Sequence, residues 1–458
     1  MPRPHHLHPP AGHTPPPEQH MTAKTPAMLV IGLSLSTGLP TFVEACHRQG
    51  VAVVVICEPF QRDTPAARQL TELYERRLAL ADVPVEVAVL DSVRVLSAVQ
   101  RLANNLELKG VYADSEKHVE VAARVATIYD LPGPGLRAAT ISRNKVMQRL
   151  LCAAHGVAVP PFTVATTADE AYAFLAEHAP VVAKPCSSSG SDGVRRLDCA
   201  ADLKDYLAEA RNAPFLLERY LAGREISVEC LVLDGLPMLT NFTGKGKGAE
   251  PYFVETVQVV PAELAAGQQT AFAGLAMRII ELTGMETGIL HLEAIDCGTV
   301  YPVEWAVREP GHAVMDLINW RYGGQATPFL VGMHLRHDLP QVPAPAAERI
   351  ALTVFIDLPP GTIVRVRQDR DPNTIPGVVD FDFYGSPGDA TGYAHDNWST
   401  FGAYSVWAEN RTDLVRVLDD LDAAFGVLLR AADGGETWCC VSSQARAEIF
   451  GHDASPTP

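Results

Sequence analysis

Glu293 and Glu304 have the clearest chemical potential in this chain. They sit in the segment 288–308, which reads as a β-hairpin with one acid on each arm. With Gly298-Thr299 as a two-residue loop, and Gly first as a type II′ turn prefers, Glu293 stands directly opposite Glu304. Like charges facing each other across a ladder destabilise it. A divalent cation between them reverses that penalty, and carboxylate oxygens suit Mg²⁺. Arg308 adds a fixed positive charge just beyond. Two solvated carboxylates on an exposed sheet face are the bland reading of the same residues.

Other residues could serve the same chemistry. Lys184 ends an apolar run and precedes a loop of small residues, Ser187, Ser188, Ser189, Gly190, Ser191 and Gly193. Backbone N–H groups and hydroxyls in such a loop can wrap phosphate oxygens, and a lysine adds charge. The pattern G-x-x-x-x-G-K-[ST] is absent, so this is not a P-loop, and an ordinary connecting loop is the alternative. Lys145 opens a helix, where a solvated charge is the alternative. Glu218 and Glu225 flank a short linker containing Tyr220 and Leu221, where carboxylates and backbone could hold an adenine amino group and ribose hydroxyls. Glu116 follows a strand end, a place where α/β sheets bind ligands. A helix-capping acid explains Glu116 equally well. His291 shares a strand face with Glu293 and reads as a supporting or structural group.

The elements that position these residues follow from periodicity. Apolar runs at 27–33 and 51–57 with a helix at 40–49 between them form a βαβ unit. A strand at 85–90, a helix at 93–106, a strand at 110–114 and a helix at 116–129 continue the alternation. Residues 26–135 are therefore expected to be one doubly wound α/β domain. A helix at 142–155, a strand at 181–185, a helix at 202–211 and a strand at 215–221 follow. Asp234-Gly235 marks a hairpin turn, and a long helix is expected at 262–283. Beyond 351, short strands precede a helix near 413–431, making a smaller α+β lobe. The expected divisions are 1–25, 26–135, 136–217, 218–435 and a tail at 436–458.

Composition narrows the class. Net charge is −17, which argues against binding a nucleic-acid backbone but allows a nucleotide in a local basic pocket. Nine cysteines, an odd number without a C-x-x-C pair, fit a reduced cytoplasmic protein better than a disulfide scaffold. No apolar run reaches the length of a membrane span, and no signal-peptide core is evident. Residues 1–25, rich in Pro and His, are expected to be a disordered extension, with a His-rich metal tail as the alternative.

Taken in order, Lys145, Lys184 with its Ser/Gly loop, Glu218-x-x-Leu221-x-x-x-Glu225, Glu293 and Glu304-x-Ala306-x-Arg308 resemble the ATP-grasp superfamily. The stretch Lys-Gly-Lys-Gly-Ala-Glu-Pro-Tyr252-Phe-Val-Glu255, with Pro261 after it, is similar to the L-amino-acid ligases within that superfamily. The resemblance spans roughly residues 30–435. It implies ATP bound between two α+β subdomains, with Lys145 and Lys184 at the phosphates and the loop 187–193 closing over them. Glu218 and the backbone at Tyr220-Leu221 would face adenine, and Glu225 the ribose. Glu293 and Glu304 would hold Mg²⁺, or Mn²⁺, and Arg308 would stabilise the transferring phosphoryl group. Glu255 and His312 would lie near a carboxylate pocket, and Glu116 would hold a substrate amine.

The activity implied is ATP-dependent carboxylate–amine ligation through an acyl phosphate, on amino acids or other small carboxylates and amines. A homodimer is also implied. A bicarbonate-dependent carboxylase-like enzyme and a non-catalytic ATP-binding regulator are the alternatives. One departure stands out. The family pattern is Glu-x-Asn-x-Arg, and this chain has Ala306 at the middle position, where no ligand atom is available.

Overall fold

In the computed structural model, residues 24–450 are described, except 34–37, 60–64, 188–189, 210–213, 249, 312, 337–338, 340 and 397–398. Ser188, Ser189, His312 and nearly all of the Pro/His-rich extension lie outside the described residues.

The N-terminal sheet is parallel, with the order Val83–Glu86, Ala52–Cys57, Thr25–Ile31, Leu106–Ala113. Its central strand is covered on both faces, and Ala27 to Ile31 have no exposed surface. This is why that strand reads as a continuous apolar run. The strand expected at 85–90 lies earlier, at Val83–Glu86. Asp91 explains the shift from the far side: its carboxylate caps the helix Ser92–Leu102 by accepting from the N–H groups of Val93 and Arg94. The chain must therefore leave the sheet before Asp91.

The helix expected at 142–155 forms as Lys145–Ala154, and a separate helix, Leu136–Ser142, precedes it. Asn144 separates them. Its backbone is extended and its side chain accepts from Val146 and Met147 N–H, so a new helix starts at Lys145. The Lys145 N–H donates to the Cys186 carbonyl at 3.1 Å, tying this helix start to the Ser/Gly loop.

The next sheet is antiparallel, in the order Phe162–Ala165, Phe215–Arg219, Val181–Pro185, Arg195–Leu197. The helices Ala168–His178 and Ala200–Glu209 pack on it. The expected division at 217/218 falls inside one of its strands, Phe215–Arg219.

An eight-stranded antiparallel sheet forms the centre of the molecule. Its order is Val300–Ala306, Gly288–Asp296, Arg224–Leu233, Leu236–Lys247, Glu255–Val260, Ile350–Phe355, Gly402–Ala408, Val378–Phe383. Asp234 and Gly235 both have positive φ, 49° and 79°, as the expected Asp-Gly hairpin turn requires. The helix Ala266–Thr283 packs on one face.

A last four-stranded sheet comprises Ala390–Thr391, Gly361–Gln368, Phe425–Arg430 and Glu436–Cys439. Residues expected as a tail are partly ordered structure, since Glu436–Cys439 joins this sheet and Ser443–Phe450 is a helix. Among the described residues, no helix is long and apolar enough to cross a membrane. All nine cysteines are free thiols.

Candidate active site

The hairpin Gly288–Asp296 and Val300–Ala306 forms, and Glu293 does stand opposite Glu304. Its turn differs from expectation. Asp296 pairs with Val300, so Cys297, Gly298 and Thr299 make a three-residue loop. The register then shifts at a bulge between the Glu293 and Ala294 pairings. The longer loop and the bulge offset each other, which is why the two acids still face. Gly298 has φ 93°, in the region that favours glycine.

Lysines neutralise the facing carboxylates. Lys145 Nζ lies 2.7 Å from Glu304 Oε2. Lys245 Nζ pairs with Glu293 and with Glu255. Burial opposes the charge on Lys245, but the two glutamates hold its ammonium well above the usual lysine range. Burial likewise works against Glu293, and Lys245 with His291 hold its carboxyl well below the usual range.

A second charge cluster lies across the cleft. Glu218, 4 % exposed, is gripped by Arg149 and paired with Lys184. Burial favours its neutral form, yet Arg149 and Lys184 bring its carboxyl down to about 2. Burial lowers the Lys184 ammonium below its usual value, with Glu218 opposing. Arg149 also donates to the Val303 carbonyl on the hairpin. Its other terminal nitrogen, Nη1, is buried without a partner among the described residues.

Between these clusters is a cavity of about 300 Å³. Lys145, Lys184, Glu218, Tyr220, Leu221, Glu225, Glu293 and Glu304 all line it, as do Gly190 and Ser191 of the Ser/Gly loop. Gly190, Ser191 and Gly193 all have positive φ, and Ser191 Oγ donates to the Phe253 carbonyl at 2.9 Å, pinning the loop to the opposite wall. The Tyr220 N–H is spent on the Pro180 carbonyl, 2.9 Å away. Glu225 pairs with Lys247, and its carboxylate lies within 4.8 Å of those of Glu255 and Glu293. Glu225 thus stands beside the acids as well as on the cavity wall that holds Tyr220 and Leu221.

A smaller cavity of about 90 Å³ is lined by Glu116, Lys245, Glu255, His291, Ala306 and Arg308, among others, and shares Lys145, Glu293 and Glu304 with the larger one. Glu116 is bracketed there. Arg143 Nη1 is 2.8 Å from one oxygen and Arg308 Nε 2.7 Å from the other. Burial opposes its charge, and the two arginines keep its carboxyl below the usual range. Each oxygen thus accepts from one arginine, and Glu116 lines the cavity beside Arg308.

The structure thus collects every described site residue except Ser187 and Gly193 along these two cavities. Sequence reasoning assigned no role to Arg149, Lys245, Lys247 or Arg143. Arg149 had a signal, since it falls one turn after Lys145 on the same helix face. Lys245 and Lys247 lie in the Lys-Gly-Lys-Gly stretch that carried the family resemblance.

The carboxylate-rich donor set fits Mg²⁺ or Mn²⁺. The architecture, a parallel N-terminal domain followed by a cleft between two antiparallel sheets, is the ATP-grasp fold. Residues 177–316 match the ATP-grasp domain family, and 354–427 match the L-amino acid ligase C-terminal domain 2. The chain therefore carries an ATP-grasp domain and an L-amino-acid-ligase type of C-terminal domain.

The L-amino acid ligase from Bacillus licheniformis superposes with a TM-score of 0.67 at 18 % identity, over 89 % of this chain and 100 % of that one. The Uncharacterized protein y4rH of Sinorhizobium fredii (strain NBRC 101917 / NGR234) is 27 % identical over 338 residues, 70 % of this chain and 64 % of that protein. Dapdiamide A synthase of Enterobacter agglomerans is 25 % identical over 304 residues, 61 % of this chain and 70 % of that enzyme. The chain thus spans a little under two thirds of the length of y4rH.

Proposed function

We propose that this protein is an ATP-dependent carboxylate–amine ligase that joins amino acids or similarly small acids and amines. The observation that carries the reading is the cleft itself: Lys145, Lys184 and the facing acids Glu293 and Glu304 line one cavity of about 300 Å³. In this reading Lys145 and Lys184 bind the ATP phosphates, and the loop 187–193 covers them. The Tyr220 carbonyl and the Leu221 N–H take the adenine edge. Glu218 orients Lys184 through their ion pair, in place of the adenine contact expected from sequence. Glu225 serves the ribose hydroxyls or joins Glu255 and Glu293 on the metal side. Glu293 and Glu304 hold Mg²⁺ or Mn²⁺, which supplies charge neutralisation on the phosphates.

The chemistry follows from charge. A carboxylate is a poor acyl donor, because its leaving group would be oxide. Attack of a substrate carboxylate oxygen on the γ-phosphorus breaks the bond to ADP and forms an acyl phosphate. Amine attack on that carbonyl then expels phosphate, and the amine nitrogen loses a proton as the amide forms. Arg308, aimed by Glu116, neutralises charge developing on oxygen in both steps. Glu255 lies toward the acid substrate.

The test is an ATP-consumption screen over pairs of amino acids with mass detection of products. Omitting the amine and adding hydroxylamine should yield an acyl hydroxamate with the accepted acid. No ATP turnover across a broad panel of acids would sink the proposal.

A further inference from the structure

The hairpin places four side chains in a block on one sheet face. Glu293 is opposite Glu304, and His291 is opposite Ala306. Residues two apart on a strand share a face, and all four line the smaller cavity. Ala306 offers only a methyl group. The ring of His291, directly across, is the block's remaining donor.

That ring is held by a built support. His291 Nδ1 lies 3.0 Å from Glu229 Oε1. Glu229 is 1 % exposed, and its other oxygen accepts from Asn241 Nδ2 at 2.9 Å and Thr243 Oγ1 at 2.7 Å. Burying a carboxylate is costly unless it is fully bonded, so this one has a task. It holds the ring through Nδ1 and turns Nε2 toward Glu293, and a cation bound there would take Nε2 in exchange for its proton. Nε2 lies 3.5 Å from Glu293 Oε1. Adjacent donors on one octahedral ion, each at about 2.1 Å, stand roughly 3 Å apart. A carboxylate behind the far nitrogen is how metal-binding imidazoles are commonly oriented.

We propose that His291 Nε2 is a metal ligand beside Glu293, supplying across the hairpin the donor that Ala306 lacks. The inference rests on the reading of the cleft as a metal–nucleotide site. It also names the metal class. Imidazole suits transition metals, whereas Mg²⁺ prefers all-oxygen shells, so the site favours Mn²⁺ over Mg²⁺. Lys245 bridges Glu293 and Glu255, and it retains Glu255 when an ion takes the Glu293 oxygen.

The experiment is pulsed EPR on the full chain with Mn²⁺ and ADP, comparing protein with natural and ¹⁵N-labelled histidine. A histidine nitrogen coupled to Mn²⁺ is expected, and His291→Gln should abolish it. The same variant should lower the ratio of Mn²⁺ to Mg²⁺ affinity by about tenfold or more, and Glu229→Gln should weaken Mn²⁺ binding by about 10–100-fold. The double variant His291→Ala, Ala306→Asn moves an oxygen donor to the other strand; it should bind Mg²⁺ with ADP and show no nitrogen coupling. Bound Mn²⁺–ADP without histidine coupling, or with coupling that survives His291→Gln, overturns the ligand assignment and leaves the proposed function standing. Failure of the wild-type protein to bind Mn²⁺–ADP at all overturns both.

Discussion

Arg308 depends on its neighbours for its aim. One of its nitrogens is fixed by Glu116, and Glu116 is fixed in turn by Arg143. In the proposed chemistry Arg308 meets charge that develops only as bonds change. Arg308→Ala should therefore lower single-turnover product formation by about 10²–10³-fold. Thermal unfolding should show the variant still folded; a loss under threefold would remove Arg308 from the mechanism. A different buried acid, Glu309, contributes to pH behaviour. It accepts from Tyr112 Oη at 2.6 Å and from the Gly38 N–H at 3.2 Å, and burial raises its carboxyl to about 7. Below its ordinary value of 4.5 it is protonated in both the folded and unfolded chain. Between there and pH 7 the unfolded chain ionises while the folded one keeps its proton, so stability falls as pH rises. Glu309→Gln keeps the neutral form and should remove that fall, gaining up to about 3 kcal/mol on the wild type at pH 8 relative to pH 4. Urea unfolding at the two pH values measures it; equal pH dependence in both proteins would refute the assignment.

At the scale of elements, the helix Lys145–Ala154 is the strut of the cleft. Lys145 at its start reaches Glu304, and Arg149 one turn on reaches Glu218 and the Val303 carbonyl. One helix thus joins the strand Phe215–Arg219 to the hairpin arm Val300–Ala306. Arg149→Met would leave Glu218 buried with Lys184 alone. Removing one partner from a buried ion pair costs about 3–5 kcal/mol, and urea unfolding should show a loss of that size. The helix start at Lys145 was legible, since Asn before a periodic run is a capping signal. Glu218's partners were not legible. Arg149 is 69 residues away, and nothing local to either residue encodes that approach.

At the scale of the molecule, the C-terminal lobe continues the central sheet. Ile350–Phe355 pairs with Glu255–Val260, so one eight-stranded sheet runs from the acidic hairpin into the lobe. The N-terminal domain is joined as firmly, with Met28 and Phe42 in one apolar core with Leu231, Ile289 and Ala351. The last helix closes the lobe. Ala445 is fully buried, Arg446 Nη2 is 2.7 Å from Asp419, and Glu448 is 3.5 Å from Arg224 at the start of a central strand. Deleting residues 442–458 should lower the melting temperature by roughly 5 °C or more. A melting temperature unchanged within about 1 °C would show the segment to be the tail expected from composition.

By itself the sequence determined the alternation of elements, the acid on each arm of the hairpin, and the order of lysines and acids that marks an ATP-grasp cleft. These rest on local rules: a period of two along strands, turn chemistry at Asp234-Gly235, and apolar runs where sheets are covered on both faces. Only the tertiary structure decided which cation meets which carboxylate. Lys245 with Glu293, Arg149 with Glu218, Arg308 with Glu116 and His291 with Glu229 are each brought together by packing of distant segments. Charge pairing acts over a few ångströms, and that separation is set by the fold and not by position along the chain.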